Sequence, residues 1–360
     1  MTKPRSITPS DAHTTHLMSA THSRVPRVTT IGGGHGQAIV LRALRRLRCS
    51  ISAVVATADD GGCSGELRRE YGMPAPGDLR RCLSALALDF EMAEMLEDRL
   101  KSPRGVGRCR GNLVLAERYL MSRSLQAAGD WVAAGLSCVG RAFPASEEPG
   151  ALVVCDRKLG LVEGELNVER SVASPLVATV VGALLPNPEA IQAILDSDVI
   201  IMGPGSFYTS TLSTLVSGEV GAAVCRSAAS RLLVLNLTKE ERLCAGYRVA
   251  DYALVLASHL TICSRGDTPS FALLRSSEAE GQEQLEDGTL VYRANVADHR
   301  GLHHTDDGLA RAFERIFGFE RRESAELPLV EPTTSRRAEL LEALRRVRPL
   351  RDSTRSVGSG

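Results

Sequence analysis

A β-branched run that ends in a glycine-rich loop constrains the fold of this chain more than any other feature. Residues 28–31 read VTTI, the loop reads GGGHG, and residues 38–47, AIVLRALRRL, have apolar side chains at helical spacing. A strand that turns into a helix in this way leaves unpaired backbone N–H groups that attract anions. Glycine suits this position because a Cβ would block both positive φ angles and close approach of the anion. The candidate ligand contacts in this loop are Gly32, Gly33, Gly34, His35 and Gly36.

Strand-like and helix-like segments alternate on both sides of this loop. Residues 50–58 (SISAVVATA) read as a second buried strand, and two strands separated by a helix form a right-handed βαβ unit. A helix, a strand and a second glycine loop follow over residues 190–206. Aromatic residues make up only 4% of the chain, which suits parallel strands covered by helices. The pattern predicts an α/β, Rossmann-like fold whose mostly parallel sheet has helices on both faces.

Four other stretches complete the expected architecture. Residues 80–137 read as mainly helical, and residues 151–183 contain short apolar segments that predict a small β-rich insertion. Residues 232–237 (LLVLNL) and 252–257 (YALVLA) are expected to be further strands.

The two ends differ from the predicted nucleotide-binding domain at 27–327. Residues 1–26 are polar without an apolar period, so we expect a disordered segment in which Met18 is an alternative start. Residues 328–360 are expected to form an Arg-rich helical or disordered tail, with the helix solvated. Neither end carries a site motif, so both are expected to be dispensable for ligand binding.

Charge and hydropathy argue against several function classes. The 43 basic residues balance 43 acidic ones, so no net field would recruit nucleic acid. No apolar run reaches the roughly 18–20 residues that span a bilayer, and the first residues lack the apolar stretch of a signal peptide. The nine cysteines form no C-x-x-C pair that would indicate zinc or a redox dithiol. We therefore expect a cytoplasmic protein with reduced cysteines.

The second strand ends in paired acids beside glycines, ADDGGCSG, at the sheet edge where the first loop lies. Such carboxylates can accept from ribose or sugar hydroxyls, or share a hydrated Mg²⁺ with phosphate oxygens. An Asp-Gly turn followed by helix capping is the structural alternative. Downstream, PGDLR offers an arginine for phosphate, or an aspartate that caps a helix. The candidates here are Asp59, Asp60, Gly61, Gly62, Ser64, Gly77, Asp78 and Arg80.

A second strand–glycine–helix unit, VIIM followed by GPGSFYTS, repeats the first. Its hydroxyl groups could donate to phosphate, and its tyrosine could stack on a base or pack against the sheet. Asn112 and Asn236 could contact a base or sugar, or satisfy local backbone. The candidates in this group are Gly111, Asn112, Gly203, Gly205, Ser206, Tyr208, Thr209 and Asn236.

Several familiar site patterns are incomplete. Gln37 stands where the dinucleotide fingerprint G-x-G-x-x-G requires its third glycine, which weakens an NAD(P)-dependent oxidoreductase interpretation. The chain has no P-loop and no G-x-S-x-G elbow. His299, His303 and His304 lack a completing cluster and are expected on a surface loop, so no firm metal site is predicted. Cys63 has no identifiable histidine partner for nucleophilic catalysis.

Five motifs occur in this order between about Arg27 and Phe317: TIGGGHG, VATADDGGCSGELRREYGMPAPGDLRRCL, GNLVLAERYL, FPAS and SDVIIMGPGSFYTSTL. Together they resemble the YvcK-like gluconeogenesis factors, which are similar to the wider CofD group of 2-phospho-L-lactate transferases with a Rossmann-like core. The resemblance implies a cytoplasmic factor needed for gluconeogenic growth and normal cell shape that binds UDP-sugars such as UDP-N-acetylglucosamine. It also implies that the candidates of the two glycine loops, of ADDGGCSG and PGDLR, and Gly111 and Asn112 line one crevice; His35 and Asn236 are not among the residues that the resemblance carries over.

The resemblance brings no established reaction, so a regulatory binding protein and a CofD-like 2-phospho-L-lactate transferase using a nucleotide-linked donor both stay open. Asp59 and Asp60 are the catalytic candidates in the second case. The candidate partners are a UDP-sugar or other nucleotide phosphate, a second copy of the chain and regulatory proteins of the cell envelope. No nucleic acid is expected.

The chain departs from the family pattern around the expected ligand. His35 replaces a usual Thr, Cys63 a Ser and Arg81 an Asn, and RCRGN at 108–112 replaces HSLGN. The segment after Asn236 also lacks the glutamate of the usual MTQxGET motif in register. These changes leave the glycine loops intact and bear on base and sugar specificity.

Overall fold

The computed structural model describes residues 24–100, 107–182, 185–238, 242–266, 268–322 and 334–347. The strands in chain order are β1 (Arg27–Gly32), β2 (Ser50–Val55), β3 (Gly140–Pro144), β4 (Ala151–Asp156), β5 (Gly160–Glu163), β6 (Pro175–Val181), β7 (Val199–Met202), β8 (Ser230–Val234), β9 (Ala272–Ser276), β10 (Gly281–Gln284) and β11 (Leu290–Ala294).

Helices connect most of these strands. They are α1 (Gly34–Leu44), α2 (Gly62–Tyr71), α3 (Gly77–Leu86), α4 (Phe90–Glu97), α5 (Arg110–Ser122), α6 (Leu125–Leu136), α7 (Glu165–Ser171), α8 (Pro188–Leu195), a π-helical segment (Phe207–Leu212) continued by α9 (Ser213–Leu215), α10 (Val220–Arg226), α11 (Val249–Ser264), α12 (Asp306–Phe317) and α13 (Thr334–Arg346). No helix in the described ranges is long and apolar enough to cross a membrane.

Eight strands form one sheet in the order β10-β11-β9-β8-β7-β1-β2-β3, parallel throughout except for the β10–β11 pair. The chain moves outward from β1 through β2 to β3, then returns to β7 and moves outward the other way. This reversal between β1 and β7 is the topological switch point, where doubly wound sheets bind ligands. The predicted Rossmann-like α/β fold is confirmed.

Both faces of the sheet are buried, because side chains that alternate along a strand enter two different hydrophobic cores. On β7, Val199 and Ile201 join the core that includes α1, α3 and α12, whereas Ile200 and Met202 join the core that includes α8, α10 and α11. Central strands covered on both faces read as continuous apolar runs, as VIIM does.

The predicted β-rich insertion is a three-stranded antiparallel sheet in the order β5-β4-β6. It packs against α11, where the backbone N–H of Ala178 donates to Nε2 of the buried His259 at 3.0 Å. A short helix, α7, follows β5 within the insertion and was not expected. Residues 252–257, predicted as a strand, belong to α11, because a short apolar run fits a buried helix as well as a strand.

One face of the C-terminal helix α13 is buried, contrary to the expectation of a solvated helix. Leu340 and Leu344 are fully buried in the core that α5 and α6 share. A Cβ at Gly135 of α6 would lie 2.6 Å from Leu340 Cδ2, so a glycine admits this leucine. Arg337 pairs with Asp89 at 2.7 Å. The helix is therefore part of the folded domain. The expected disorder of residues 1–23, and the parts of the predicted tail at 328–333 and 348–360, lie outside the described residues.

Candidate functional site

The two glycine loops meet at the switch point. A Cβ at Gly36 would lie 2.2 Å from the carbonyl oxygen of Pro204, and a Cβ at Gly205 would lie 3.4 Å from that of Gly33. Gly203 and Gly205 adopt φ angles of +67° and +138°, which disfavour any side chain. The loops after β1 and β7 are thus in backbone contact at the carboxyl ends of their strands, where doubly wound sheets have their ligand crevice.

Asp78 occupies part of the position at which the first loop was expected to bind phosphate. A Cβ at Gly33 would lie 2.3 Å from Asp78 Oδ2, and the N–H of Gly34 donates to this carboxyl group. Burial raises the pKa of Asp78, while Arg81, whose guanidinium donates to Oδ1 at 2.7 Å, opposes the rise. Asp78 therefore caps α1 and not its own helix. In the first turn of α1, the N–H groups of His35 and Gly36 have no acceptor within the helix.

Asn236 holds the second loop in place. Its Oδ1 accepts from the N–H of Gly205 at 2.9 Å, and its Nδ2 donates to the carbonyl oxygen of Gly205 at 2.7 Å. At the start of the π-helical segment, Ser206 Oγ accepts from the N–H of Thr209 at 3.4 Å, and Thr209 Oγ1 donates to Glu169 Oε1 at 3.3 Å. The sequence left two roles open for Asn236, and in the structure its side chain hydrogen-bonds to the backbone of Gly205.

Tyr208 packs in the core. It is fully buried, its ring meets Phe207 edge-on at 5.6 Å, and its hydroxyl lies 2.8 Å from that of Tyr247. Of the two alternatives that the sequence left open, packing and base stacking, this arrangement corresponds to packing.

The paired acids after β2 have different neighbours. Asp59 Oδ1 accepts from the N–H of Gly61 at 2.8 Å, which is an Asx turn, whereas Asp60 Oδ1 accepts from the N–H of Leu166 in α7 at 3.0 Å. Arg68 of α2 donates to the carbonyl oxygens of Ala58 and Asp59 and so fixes the loop backbone. Neither Arg68 nor α7 was identified from the sequence, because both contacts depend on tertiary structure.

Side chains of two neighbouring helices engage the guanidinium of Arg80. Its buried guanidinium donates to Glu97 Oε1 at 3.0 Å and to Asn112 Oδ1 at 2.8 Å. A Cβ at Gly111 would lie 2.9 Å from the Arg80 Cδ atom. Arg80, Gly111 and Asn112 thus connect α3, α4 and α5 beneath the loops, and the phosphate contact of Arg80 stays a prediction.

Ser64 and Gly77 bring the starts of α2 and α3 together. A Cβ at Gly77 would lie 2.4 Å from Ser64 Oγ and 3.8 Å from both Asp59 Oδ2 and Asn112 Nδ2. Gly62, with a φ of +43°, starts α2. In the same region, burial raises the pKa of the Cys63 thiol, and Asn112 hydrogen-bonds to it. This leaves less of the thiolate that nucleophilic catalysis requires.

His35 lies exposed at another cleft, of about 610 Å³, between α1, α3 and α4. Arg42, Arg81 and Phe90 also line it, while Asp59 and Asp60 do not. Burial, followed by the charge of Arg81, lowers the pKa of His35. The His35 side chain therefore lines a different cleft from the one beside Asp59 and Asp60.

Gln37, at the position of the third fingerprint glycine, is fully buried. Its Nε2 donates to the carbonyl oxygens of Val54 and Thr30 at 3.0 and 3.3 Å. An amide thus joins α1 to β1 and β2, where the dinucleotide fingerprint needs a glycine for close helix–strand packing. This contact weighs against the oxidoreductase alternative.

The arginines that depart from the family pattern make local ion pairs. Arg108 contacts Glu66 at 3.0 Å and Glu70 at 2.7 Å, which joins α2 to the start of α5. Arg110 donates to the carbonyl oxygen of Leu344 in α13. No group of three or more His, Cys, Asp or Glu residues that could hold a metal ion occurs within the described ranges.

The sheet order and the paired loops at the switch point place the chain among the doubly wound α/β proteins. In this class, ligands commonly bind at the switch point. The chain belongs to the CofD family, because the family model of 2-phospho-L-lactate transferase CofD matches residues 28–304.

Relatives within this family share the fold and a common name. A gluconeogenesis factor from Bacillus subtilis is 31% identical over 239 residues, which cover 65% of this chain and 75% of that protein. A Thermotoga maritima protein provisionally given the same name is 32% identical and covers 81% of this chain and 99% of its own length. The chain spans about half, 51%, of a similarly named Nostoc relative. A crystal structure of a UPF0052 family member from Bacillus halodurans matches with a TM-score of 0.71, 25% identity, and coverage of 81% of this chain and 99% of that one.

Proposed function

We propose that this chain is a cytoplasmic UDP-sugar-binding factor that supports cell shape during gluconeogenic growth. The observation that carries the proposal is the contact between the two glycine loops at the switch point, beside the carboxylates Asp59 and Asp60. The unpaired N–H groups at the start of α1 suit a diphosphate, and carboxylates suit the hydroxyls of ribose and sugar. The names of the relatives support the gluconeogenic part of the proposal.

Mg²⁺ fits this site only together with a ligand. Asp59 and Asp60 each use one oxygen for a backbone N–H, and no three-residue metal group is present among the described residues. Mg²⁺ is commonly held by one or two carboxylates plus substrate phosphates, and it would offset the charge of a diphosphate near acids. We expect UDP-sugar affinity to fall when a chelator replaces Mg²⁺ in a titration.

Isothermal titration with UDP-N-acetylglucosamine, UDP, NAD and inorganic phosphate tests the proposal. A ligand at 100 times its Kd stabilises the fold by about 2.7 kcal/mol, so thermal unfolding gives a second readout. Gly36→Ala should abolish binding, because its Cβ would press into Pro204 and separate the loops. Gly266→Ala, where a Cβ meets open space, is the matched control. Tighter binding of NAD than of any UDP-sugar would contradict the proposal.

A transferase is the second candidate function, and the description of the matching family model favours it. In this alternative Asp59 acts as the base at an acceptor hydroxyl. Incubation with nucleotide-linked phospholactate and an acceptor alcohol, followed by mass spectrometry, would show a phosphodiester product. Absence of product together with tight UDP-sugar binding would favour the regulatory factor.

A further inference from the structure

The cleft between α1, α3 and α4 has the dimensions of a small-molecule site. Its volume is about 610 Å³, and ligand pockets commonly enclose roughly 300–1,000 Å³. His35 and Arg42 of α1 and the C-cap residue Arg45 line one wall, over a length of about 15 Å along the helix. Three other lining residues are buried alanines, one from each helix: Ala38, Ala85 and Ala93. The cleft therefore combines apolar surface with a basic wall.

The arginines that line the cleft retain unused charge and hydrogen-bond donors. Arg42 is exposed and makes no hydrogen bond or ion pair within the described part of the chain. Arg45 donates to the backbone carbonyl oxygen of Ala85 at 3.0 Å. Arg81, from α3, donates to Asp78 at 2.7 Å, but its Nε is buried and has no hydrogen-bond partner among the described residues. Donors thus remain for an anionic ligand group.

The acids on the α4 side do not cancel this positive charge. Two of them pair with arginines that do not line the cleft, Glu97 with Arg80 at 3.0 Å and Asp98 with Arg110 at 3.7 Å. Glu94 is the one lining acid without such a partner in the described ranges. Because two arginines without a carboxylate partner lie opposite this single acid, the cleft favours an anion.

Phe90, at the start of α4, gives the cleft an exposed aromatic ring. The residue is 65% exposed, and the Arg45 guanidinium lies 5.2 Å from the centre of its ring. Exposed apolar side chains beside a concave surface commonly belong to binding sites. A planar ligand can stack on this ring while an attached anionic group meets the arginines.

Beyond the proposed function, we propose that this cleft is a second ligand site, which binds a small aromatic anion. The anionic group pairs with the arginines of α1 and α3, and the aromatic ring stacks on Phe90. An aromatic carboxylate and a nucleoside monophosphate share this chemistry. Asp59 and Asp60 do not line the cleft, so the site lies apart from the carboxylates of the proposed UDP-sugar site. The motif resemblance does not predict it, because His35 and Arg81 are two of the departures from the family pattern.

Isothermal titration of the full chain, with and without an excess of UDP-N-acetylglucosamine, tests the inference. The probes 2-naphthoate and AMP each combine a ring with an anionic group, whereas 2-naphthamide lacks the charge and inorganic phosphate lacks the ring. At least one combined probe should bind with a Kd below about 1 mM, and more tightly than its incomplete counterpart.

Two substitutions locate the binding in the cleft. Arg42→Gln should weaken it by about 3- to 10-fold, because an ion pair in an open cleft is lost. Arg69→Gln is the matched control, since Arg69 of α2 is also exposed, makes no ion pair among the described residues and does not line the cleft. Phe90→Ala should weaken binding by about 2- to 12-fold through the lost ring contact.

The outcomes separate this inference from the proposed function. A preference for AMP or for 2-naphthoate identifies the source of the chemistry, and either supports the inference. Absence of binding by both probes, no advantage over the incomplete probes, or equal effects of Arg42→Gln and Arg69→Gln would overturn it. Loss of probe binding in the presence of UDP-N-acetylglucosamine would overturn the second site while the proposed function stands. Probe binding that depends on Arg42, without any UDP-sugar binding, would contradict the proposed function alone.

Discussion

Removal of the Asp60 carboxylate should release α7 from the crevice. The bond from the Leu166 N–H to Asp60 Oδ1 is charge-assisted, at 3.0 Å and partly buried. Such bonds contribute about 1.5–3 kcal/mol. If this bond limits local opening, Asp60→Ala should speed hydrogen exchange of the Leu166 amide by about 10- to 150-fold, since about 1.4 kcal/mol corresponds to a factor of ten.

Amide hydrogen exchange followed by NMR reports this bond directly, because the exchanging proton is the one that Asp60 accepts. Asp60→Asn keeps an oxygen acceptor and should give a smaller increase. Asp59→Ala is the matched control, since Asp59 bonds only its own turn at Gly61 and should leave Leu166 protected. Unchanged Leu166 exchange in Asp60→Ala, or an equal increase in Asp59→Ala, would refute the assignment of Asp60 as the residue that docks α7.

Three further predictions concern the scaffold. Leu340→Ala should lower the free energy of unfolding by about 2–5 kcal/mol in urea titrations. Leu341→Ala, at a half-buried position of the same helix, should lower it by clearly less. Equal losses would contradict the docking of α13. Arg80→Met should lower the free energy of unfolding by about 1–3 kcal/mol, because Asn112 loses its buried donor. A change below the error of a urea titration would show that this contact is dispensable. Burial lowers the pKa of His304 to about 4 in the folded chain. Between about pH 6.5 and pH 4 the unfolded chain therefore protonates this histidine while the folded chain does not. The free energy of unfolding should fall as the pH is lowered through this range. His304→Gln should flatten that fall, and an unaltered pH profile would show that another group causes it.

The glycine-loop units could be predicted from sequence because their signals are local. A β-branched run, glycines and a helical period lie next to each other in VTTIGGGHG, and the same order recurs at VIIMGPGS. The prediction that YALVLA forms a strand was wrong, because the contacts that decide between strand and helix here are not local. Six apolar residues do not distinguish a strand from one part of α11, and the deciding contacts come from the packing of the helix under the insertion.

Side-chain roles were predicted less well than the backbone, because their partners are distant in the sequence. Arg80 was assigned to phosphate from its position after PGD, but Glu97 and Asn112 engage its guanidinium. Tyr208 was a candidate for base stacking, but Tyr247 lies against its hydroxyl. The Arg-rich helix α13 looked solvated because its charged residues outnumber the leucines that it buries. In each case a tertiary contact decided the role.

Charge limits which ligand can fill the crevice. The amide groups of the first glycine loop favour a phosphate, but Asp78 already takes the N–H of Gly34, and Asp59, Asp60 and Glu165 add carboxyl groups near the loop. A free phosphate would meet this repulsion without compensation. In the proposed function, a nucleotide sugar would place its diphosphate at the amides and its uncharged hydroxyls at the carboxyl groups, so that each end would meet complementary groups. In the transferase alternative, the same arrangement would disfavour an anionic acceptor, because that acceptor would meet carboxyl groups from both the core and α7.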